Sequence, residues 1–135
     1  MTHLPKLTYL QTMEKLQIGV VDDNEPFRKG ICALLHSRGF STCAFGSVRE
    51  FIGGNVMPRI SCLILDIGLP EIDGIAFQEC LAQTNFRFPI IFCTGYEAGE
   101  TQASMKEGVF AVLHKPVDPD LLINTVQSAC GLSVN

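Results

Sequence analysis

Three of the six aspartates in this 135-residue chain stand directly behind short apolar runs. Asp22 and Asp23 follow the run at 18–21, and Asp66 follows the run at 62–65. Two further runs also end in polar residues: 90–93 leads into Thr94-Gly95, and 110–113 into His114-Lys115-Pro116. If these runs are strands of one parallel sheet, three carboxylates, a hydroxyl and an ammonium gather on one rim. Two carboxylates ~4 Å apart repel by about 4 kcal/mol at an effective dielectric of 20, so such a trio calls for a counter-ion. All-oxygen donors, few of them from protein, favour Mg²⁺ over zinc, with Mn²⁺ as the alternative ion. Asp66 is then placed to attack phosphorus in line as a nucleophile. The charge of a phosphoryl transition state spreads over three equatorial oxygens. A divalent ion, the Lys115 ammonium and the Thr94 hydroxyl with nearby backbone N–H groups can each take one of them. Gly95 leaves room for the group to approach the backbone. Each signal alone is weak, since paired aspartates usually cap a helix or line a solvated turn. The weight lies in their joint occurrence.

These residues need a sheet to gather them, and the rest of the chain supplies one. Apolar runs at 18–21, 42–45, 62–65, 90–93 and 110–113 alternate with amphipathic stretches. Three of the runs are near-continuous Val, Ile, Leu, Phe and Cys, which suits parallel strands covered on both faces. The first helix carries Phe27, Ile31, Leu34 and Leu35 on one stripe and stops at Gly39. The second opens on a capping box, Ser47 to Glu50, in which each side chain is expected to satisfy the other's backbone N–H. The third follows Gly74, with Phe77, Cys80 and Leu81 on one face. The fourth, over 97–107, has only Ala98, Ala103 and Met105 as anchors and is expected to be the most mobile. The fifth begins at Asp118-Pro119, turns Leu122, Val126, Ala129 and Cys130 inward, and ends at Gly131. Five strands alternating with five helices define a doubly wound α/β fold, which binds ligands outside the carboxyl ends of its strands.

Composition narrows the function classes. Apolar residues make up 47% of the chain and charged residues 18%, against a usual ~25% charged, which excludes a disordered tail. Ten Lys+Arg against fourteen Asp+Glu give a net charge of -4, so direct nucleic-acid contact has no electrostatic support. No apolar run approaches the ~18 residues of a membrane span, and the N-terminus lacks a secretory core. A soluble cytoplasmic domain without membrane contact is expected. The six cysteines form no CxxC or Cys/His pattern and read as buried, reduced thiols.

At this point the chain resembles the receiver domain of two-component response regulators. The likeness is carried by Val20-Val21-Asp22-Asp23, by Leu63-Ile64-Leu65-Asp66-Ile67-Gly68-Leu69-Pro70-Glu71-Ile72-Asp73-Gly74, by Cys93-Thr94-Gly95, and by Gly108 through His114-Lys115-Pro116. It covers roughly residues 15–130. The resemblance implies a five-stranded, flavodoxin-like sheet of order 2-1-3-4-5 and makes Asp66 the phosphoacceptor. It gives Asp22 and Asp23, with Asp66, the Mg²⁺, adds the Gly68 backbone carbonyl as a further ligand, and has Lys115 and Thr94 read the phosphoryl group. It further implies a cis Lys115-Pro116 bond and a sensor histidine kinase or histidine phosphotransfer protein as donor. A chain of this kind catalyses only its own phosphorylation and slow dephosphorylation. Its fourth-helix and fifth-strand face would meet a second copy or an effector. The expected division is an extension over 1–15, a receiver over 16–131 and a tail over 132–135. No output domain is visible, and the local wording resembles receivers that precede helix-turn-helix DNA-binding domains.

Two departures bear on mechanism. Receivers usually carry Phe or Tyr three residues before the lysine, where Val112 stands here with Phe110 as the nearest aromatic. The stretch from Thr94 to Lys115 is also a residue shorter than usual. Other readings are weaker. A receiver-like interaction module that is never phosphorylated would not need the complete pocket. A phosphatase with an aspartyl nucleophile commonly needs a second carboxylate two residues on, where this chain has Gly68. His36 reads as an exposed helix-end histidine rather than a phosphohistidine site.

Overall fold

The computed structural model describes residues 16–68, 74–95 and 109–132. Its strands are β1 (Gln17–Val21), β2 (Ser41–Phe45), β3 (Ile60–Leu65), β4 (Ile90–Thr94) and β5 (Val109–His114). Its α-helices are α1 (Glu25–Ser37), α2 (Val48–Gly53), α3 (Gly74–Leu81) and α4 (Pro119–Ala129), and a 3-10 turn at Met57–Arg59 leads into β3. The stretch expected as a helix over 97–107 lies outside the described residues, as does the 69–73 part of the motif.

All strand pairs are parallel and the order is β2-β1-β3-β4-β5, as expected. The apolar runs alternate between two cores because successive side chains leave a strand on opposite faces. Ile18, Val20, Cys62, Ile64, Ile91 and Cys93 face Ile31 and Leu35 of α1 and Leu122, Ile123 and Val126 of α4. Val21, Leu63, Leu65, Ile90 and Phe92 face Val48 and Phe51 of α2 and Phe77 and Leu81 of α3. Each fully buried large side chain contributes roughly 1.5–3 kcal/mol. Phe51 also packs edge-on against Phe45 and Phe77, at centroid distances of 5.6 and 5.8 Å. Gly19 is where β1 packs tightest: a Cβ there would lie 2.9 Å from Ile60 Cδ1 and 3.0 Å from Leu63 Cδ1, so those side-chain ends would have to shift.

The helix ends follow the sequence with one correction. Asn24 caps α1 and Asp118 caps α4, each accepting a backbone N–H three residues on. Gly39 (φ 93°) and Gly131 (φ 74°) take the left-handed conformation that stops each helix. Ser47 Oγ accepts from Glu50 N–H at 3.1 Å, as the capping box requires. Glu50 Oε2, however, accepts from Gly46 N–H at 2.9 Å, one residue beyond the expected Ser47. The cysteine expectation also needs correcting. All six are free, but Cys62 and Cys93 alone are fully buried and Cys80 is exposed. Cys80 follows Phe77 by three residues, yet it is exposed while Phe77 and Leu81 hold the core. It borders a groove of about 480 Å³ with Val48, Ile52 and Met57.

Candidate functional site

Strand register sets the height at which each polar residue leaves the sheet. Val21 pairs with Leu65, so Asp22 and Asp66 emerge side by side, and Asp66 N–H donates to the Val21 carbonyl at 3.1 Å. Thr94 pairs with His114, and Lys115 N–H donates to the Thr94 carbonyl at 2.9 Å. These backbone bonds bring β1, β3, β4 and β5 to a common carboxyl rim. The Lys115-Pro116 bond is cis, as the resemblance implied.

Asp22 is the buried member of the acidic group, 2% exposed. Its Oδ1 accepts from Asn24 N–H at 2.9 Å and its Oδ2 accepts from Lys115 Nζ at 2.8 Å. Arg28 Nη1 donates to the Asp22 carbonyl at 2.7 Å, fixing the backbone behind the carboxylate. Asp66 is half-buried; its Oδ1 accepts from Gly68 N–H at 3.1 Å and its Oδ2 lies 3.7 Å from Lys115 Nζ. Asp23 is exposed at the mouth. One oxygen from each of Asp22, Asp23 and Asp66 can be chosen so that all lie within 4.8 Å of one another.

Burial, helped by the charges of Asp22 and Asp23, lifts the Asp66 carboxyl above the ordinary aspartate range against the pull of Gly68 N–H and Lys115. Burial pulls the Lys115 ammonium the other way, but its hydrogen bond to Asp22 and the attraction of both carboxylates outweigh that, and its proton is held more tightly than usual. Three crowded hard oxygens facing one ammonium are a donor set that fits a divalent cation with oxygen preference, Mg²⁺ or Mn²⁺, and does not suit zinc. Cys93, beneath the rim, is pushed by burial up to about 12 and is no nucleophile.

The structure therefore brings Asp22, Asp23, Asp66 and Lys115 into one pocket and places Gly68 N–H on Asp66. Thr94 is buried at the end of β4, its carbonyl tied to Lys115. His36 is elsewhere, bonded through Nε2 to Thr42 Oγ1 at 2.7 Å. Sequence reasoning missed three contributors on the first turn of α1: Asn24, Phe27 and Arg28. Phe27 reads from sequence as one more stripe residue, yet Lys115 Nζ stands 4.2 Å from its ring centroid. The cap sequence Asn24-Glu25-Pro26 could have pointed to Asn24, because an aspartate two residues before a cap can accept the cap's own N–H.

A doubly wound parallel sheet with a buried acidic pocket facing a lysine from its last strand defines a class of phosphoryl-accepting signalling domains. The chain matches the response regulator receiver domain over residues 18–127, and it belongs to that family. Phosphorylation on aspartate is the general function of the family. The chain is similar to nodulation protein W of Bradyrhizobium diazoefficiens, 34% identical over 122 residues, covering 90% of this chain and 54% of that protein. It is similar to transcriptional regulatory protein TdiR of Thauera aromatica, 30% identical over 115 residues, covering 84% and 51%. The crystal structure of a response regulator receiver protein from Burkholderia phymatum superposes with a TM-score of 0.77 at 33% identity, covering 89% of this chain and 98% of that one. The chain spans about half the length of the curated relatives it matches. Among the described residues, no helix is long and apolar enough to cross a membrane.

Proposed function

We propose that Asp66 accepts a phosphoryl group and that Asp22, Asp23, Asp66 and the Gly68 carbonyl hold the Mg²⁺ that this requires. The observation that carries the reading is the acidic group itself, three carboxylates within 4.8 Å facing Lys115 at 2.8 and 3.7 Å. A bound divalent cation would offset the mutual repulsion of the carboxylates and the charge of the incoming group. Asp66 is the nucleophile, because its Oδ2 is shared only loosely with Lys115 while both oxygens of Asp22 are engaged. One Asp66 oxygen bonds to phosphorus as the donor's leaving group departs. Lys115 then neutralises one phosphoryl oxygen, and the Thr94 hydroxyl takes another.

Gly68 stands where an aspartyl-phosphate hydrolase would carry its acid, so the chain promotes only its own phosphorylation and slow dephosphorylation. The donor is a sensor histidine kinase or histidine phosphotransfer protein, and the setting is cytoplasmic. The receiver unit spans 16–131, between an extension over 1–15 and a tail over 132–135. Its β5 face serves a second copy or an effector, and the domain itself contacts neither nucleic acid nor membrane. The test is intact-mass analysis after exposure to acetyl phosphate or phosphoramidate with Mg²⁺. One phosphoryl group is expected on the wild type and none on Asp66→Asn. Modification that persists in Asp66→Asn would sink the assignment.

A further inference from the structure

Lys115 has a pocket partner that is not a carboxylate. Its Nζ lies 2.8 Å from Asp22 Oδ2, 3.7 Å from Asp66 Oδ2 and 4.2 Å from the centroid of the Phe27 ring. An ammonium within ~6 Å of an aromatic face is drawn to the ring's quadrupole, more strongly where water is excluded. Here the Lys115 side chain is 24% exposed and the ring half-buried. The backbone that carries the ring is placed by the same bonds that place Asp22. Asn24 donates its N–H to Asp22 Oδ1 at 2.9 Å, and Asn24 Oδ1 accepts from Phe27 N–H at 2.9 Å. Carboxylate, helix cap and the Phe27 backbone are thus linked, which sets the origin of the ring beside Lys115.

The ring differs from the other two partners in one respect. Asp22 and Asp66 both have a second claim on them, as cation ligands and as nucleophile. A hard divalent cation takes oxygen donors, so it does not compete for the ring. The ring is therefore the partner that Lys115 keeps when the carboxylates are otherwise engaged. A lysine stem has many rotamers, and a fixed resting place reduces what must be ordered when charge develops on phosphorus.

We propose that Phe27 is a positioning residue for Lys115, keeping its ammonium at the edge of Asp66 so that an incoming phosphoryl group meets it already in place. The inference rests on the reading of Asp66 as phosphoacceptor. Phosphoramidate uptake with Mg²⁺, followed against donor concentration, tests it. Phe27→Leu keeps the apolar bulk and removes the quadrupole, and it should slow uptake roughly three- to tenfold, at saturating donor rather than through the donor concentration required. Phe27→Tyr keeps the ring and should stay within about twofold of the wild type. In a Lys115→Gln background, Phe27→Leu should add no further loss, because the partner it acts through is gone. The Lys115 ε-methylene protons should carry an upfield ring-current shift that Phe27→Leu abolishes. Equal slowing in both backgrounds would show a merely structural role and overturn the proposal, as would a wild-type rate in Phe27→Leu or the absence of the ring-current shift. Failure of the functional reading looks different: the wild type itself takes up no phosphoryl group, and both conclusions fall.

Discussion

Replacing Lys115 with methionine removes the ammonium and keeps most of the stem, leaving the 2%-exposed Asp22 carboxylate without its counter-charge. At 2.8 Å the gross attraction of the pair is roughly 6 kcal/mol at an effective dielectric of 20, much of it offset by desolvation of both groups. Removing one member of a buried pair costs about 3–5 kcal/mol, because the other charge stays behind. The Lys115 side chain is still 24% exposed, which argues for the low end, about 3 kcal/mol. With a urea dependence of about 2 kcal/mol per molar, the metal-free midpoint should fall by roughly 1.5 M. Magnesium works in the opposite direction. Binding to the folded state adds RT ln(1 + [Mg²⁺]/Kd), and in the variant the cation supplies the positive charge that Asp22 has lost. The gap between variant and wild type should therefore narrow as Mg²⁺ rises. Urea unfolding of both proteins, in chelator and across a Mg²⁺ series, measures this. A variant within about 0.5 kcal/mol of wild type in chelator, or a gap that Mg²⁺ leaves unchanged, refutes the reasoning.

Asp66→Asn should stabilise the metal-free protein in a pH-dependent way. A carboxyl raised by burial binds its proton more tightly folded than unfolded, so it favours the fold while protonated and that advantage is lost as pH rises through the raised value. The gain from Asp66→Asn should be absent below the ordinary aspartate range and full above the folded value, as melting curves over pH would show; a gain independent of pH would contradict it. Gly68→Asn should be tolerated, since among the described residues a Cβ there meets nothing nearer than Asp66 Oδ1 at 4.0 Å, and its amide should orient water and speed phosphate loss. Wild-type loss within seconds would show that the lack of a water-orienting side chain at Gly68 does not slow hydrolysis. Gly19→Ala should cost about 1–3 kcal/mol by overpacking against Ile60 and Leu63; an unchanged urea midpoint would mean that β1 has room the structure does not show.

Much of this was legible in the chain because strand ends are legible. A residue directly behind an apolar run must leave the sheet at its carboxyl rim, which is why Asp22, Asp66, Thr94 and Lys115 could be assigned to one place before any coordinates. What the sequence hid was the angular detail of side chains that serve two purposes. Phe27 fits the α1 stripe, so its contact with Lys115 leaves no separate mark in the periodicity. Glu50 has the right type and spacing for a capping box, but whether its carboxylate reaches Ser47 or Gly46 depends on a rotamer. Cys80 lies at an apolar spacing from Phe77, yet the structure leaves it exposed beside a groove instead of in the core.

Val112 bears on how the pocket reaches the rest of the domain. It lies half-buried against the core shared by α2 and α3, and a β-branched side chain on a strand has few rotamers to exchange. Phe110, the aromatic two residues earlier, is 47% exposed. A two-state response requires contacts that differ between the states, and the pocket offers one such set. Lys115 bonds to Asp22 Oδ2 at 2.8 Å and, on the proposed reading of Asp66, exchanges that bond for one to the phosphoryl group beside it. Its backbone N–H is held by the Thr94 carbonyl at 2.9 Å, and three residues on, Asp118 accepts from Leu121 N–H to start α4. Exchange of that bond therefore acts on a residue tied by main-chain bonds to the end of β4 and, three residues on, to the first turn of α4. Among the described residues, the contacts that would differ between the two states are those of the Lys115 ammonium, not those of a ring on β5.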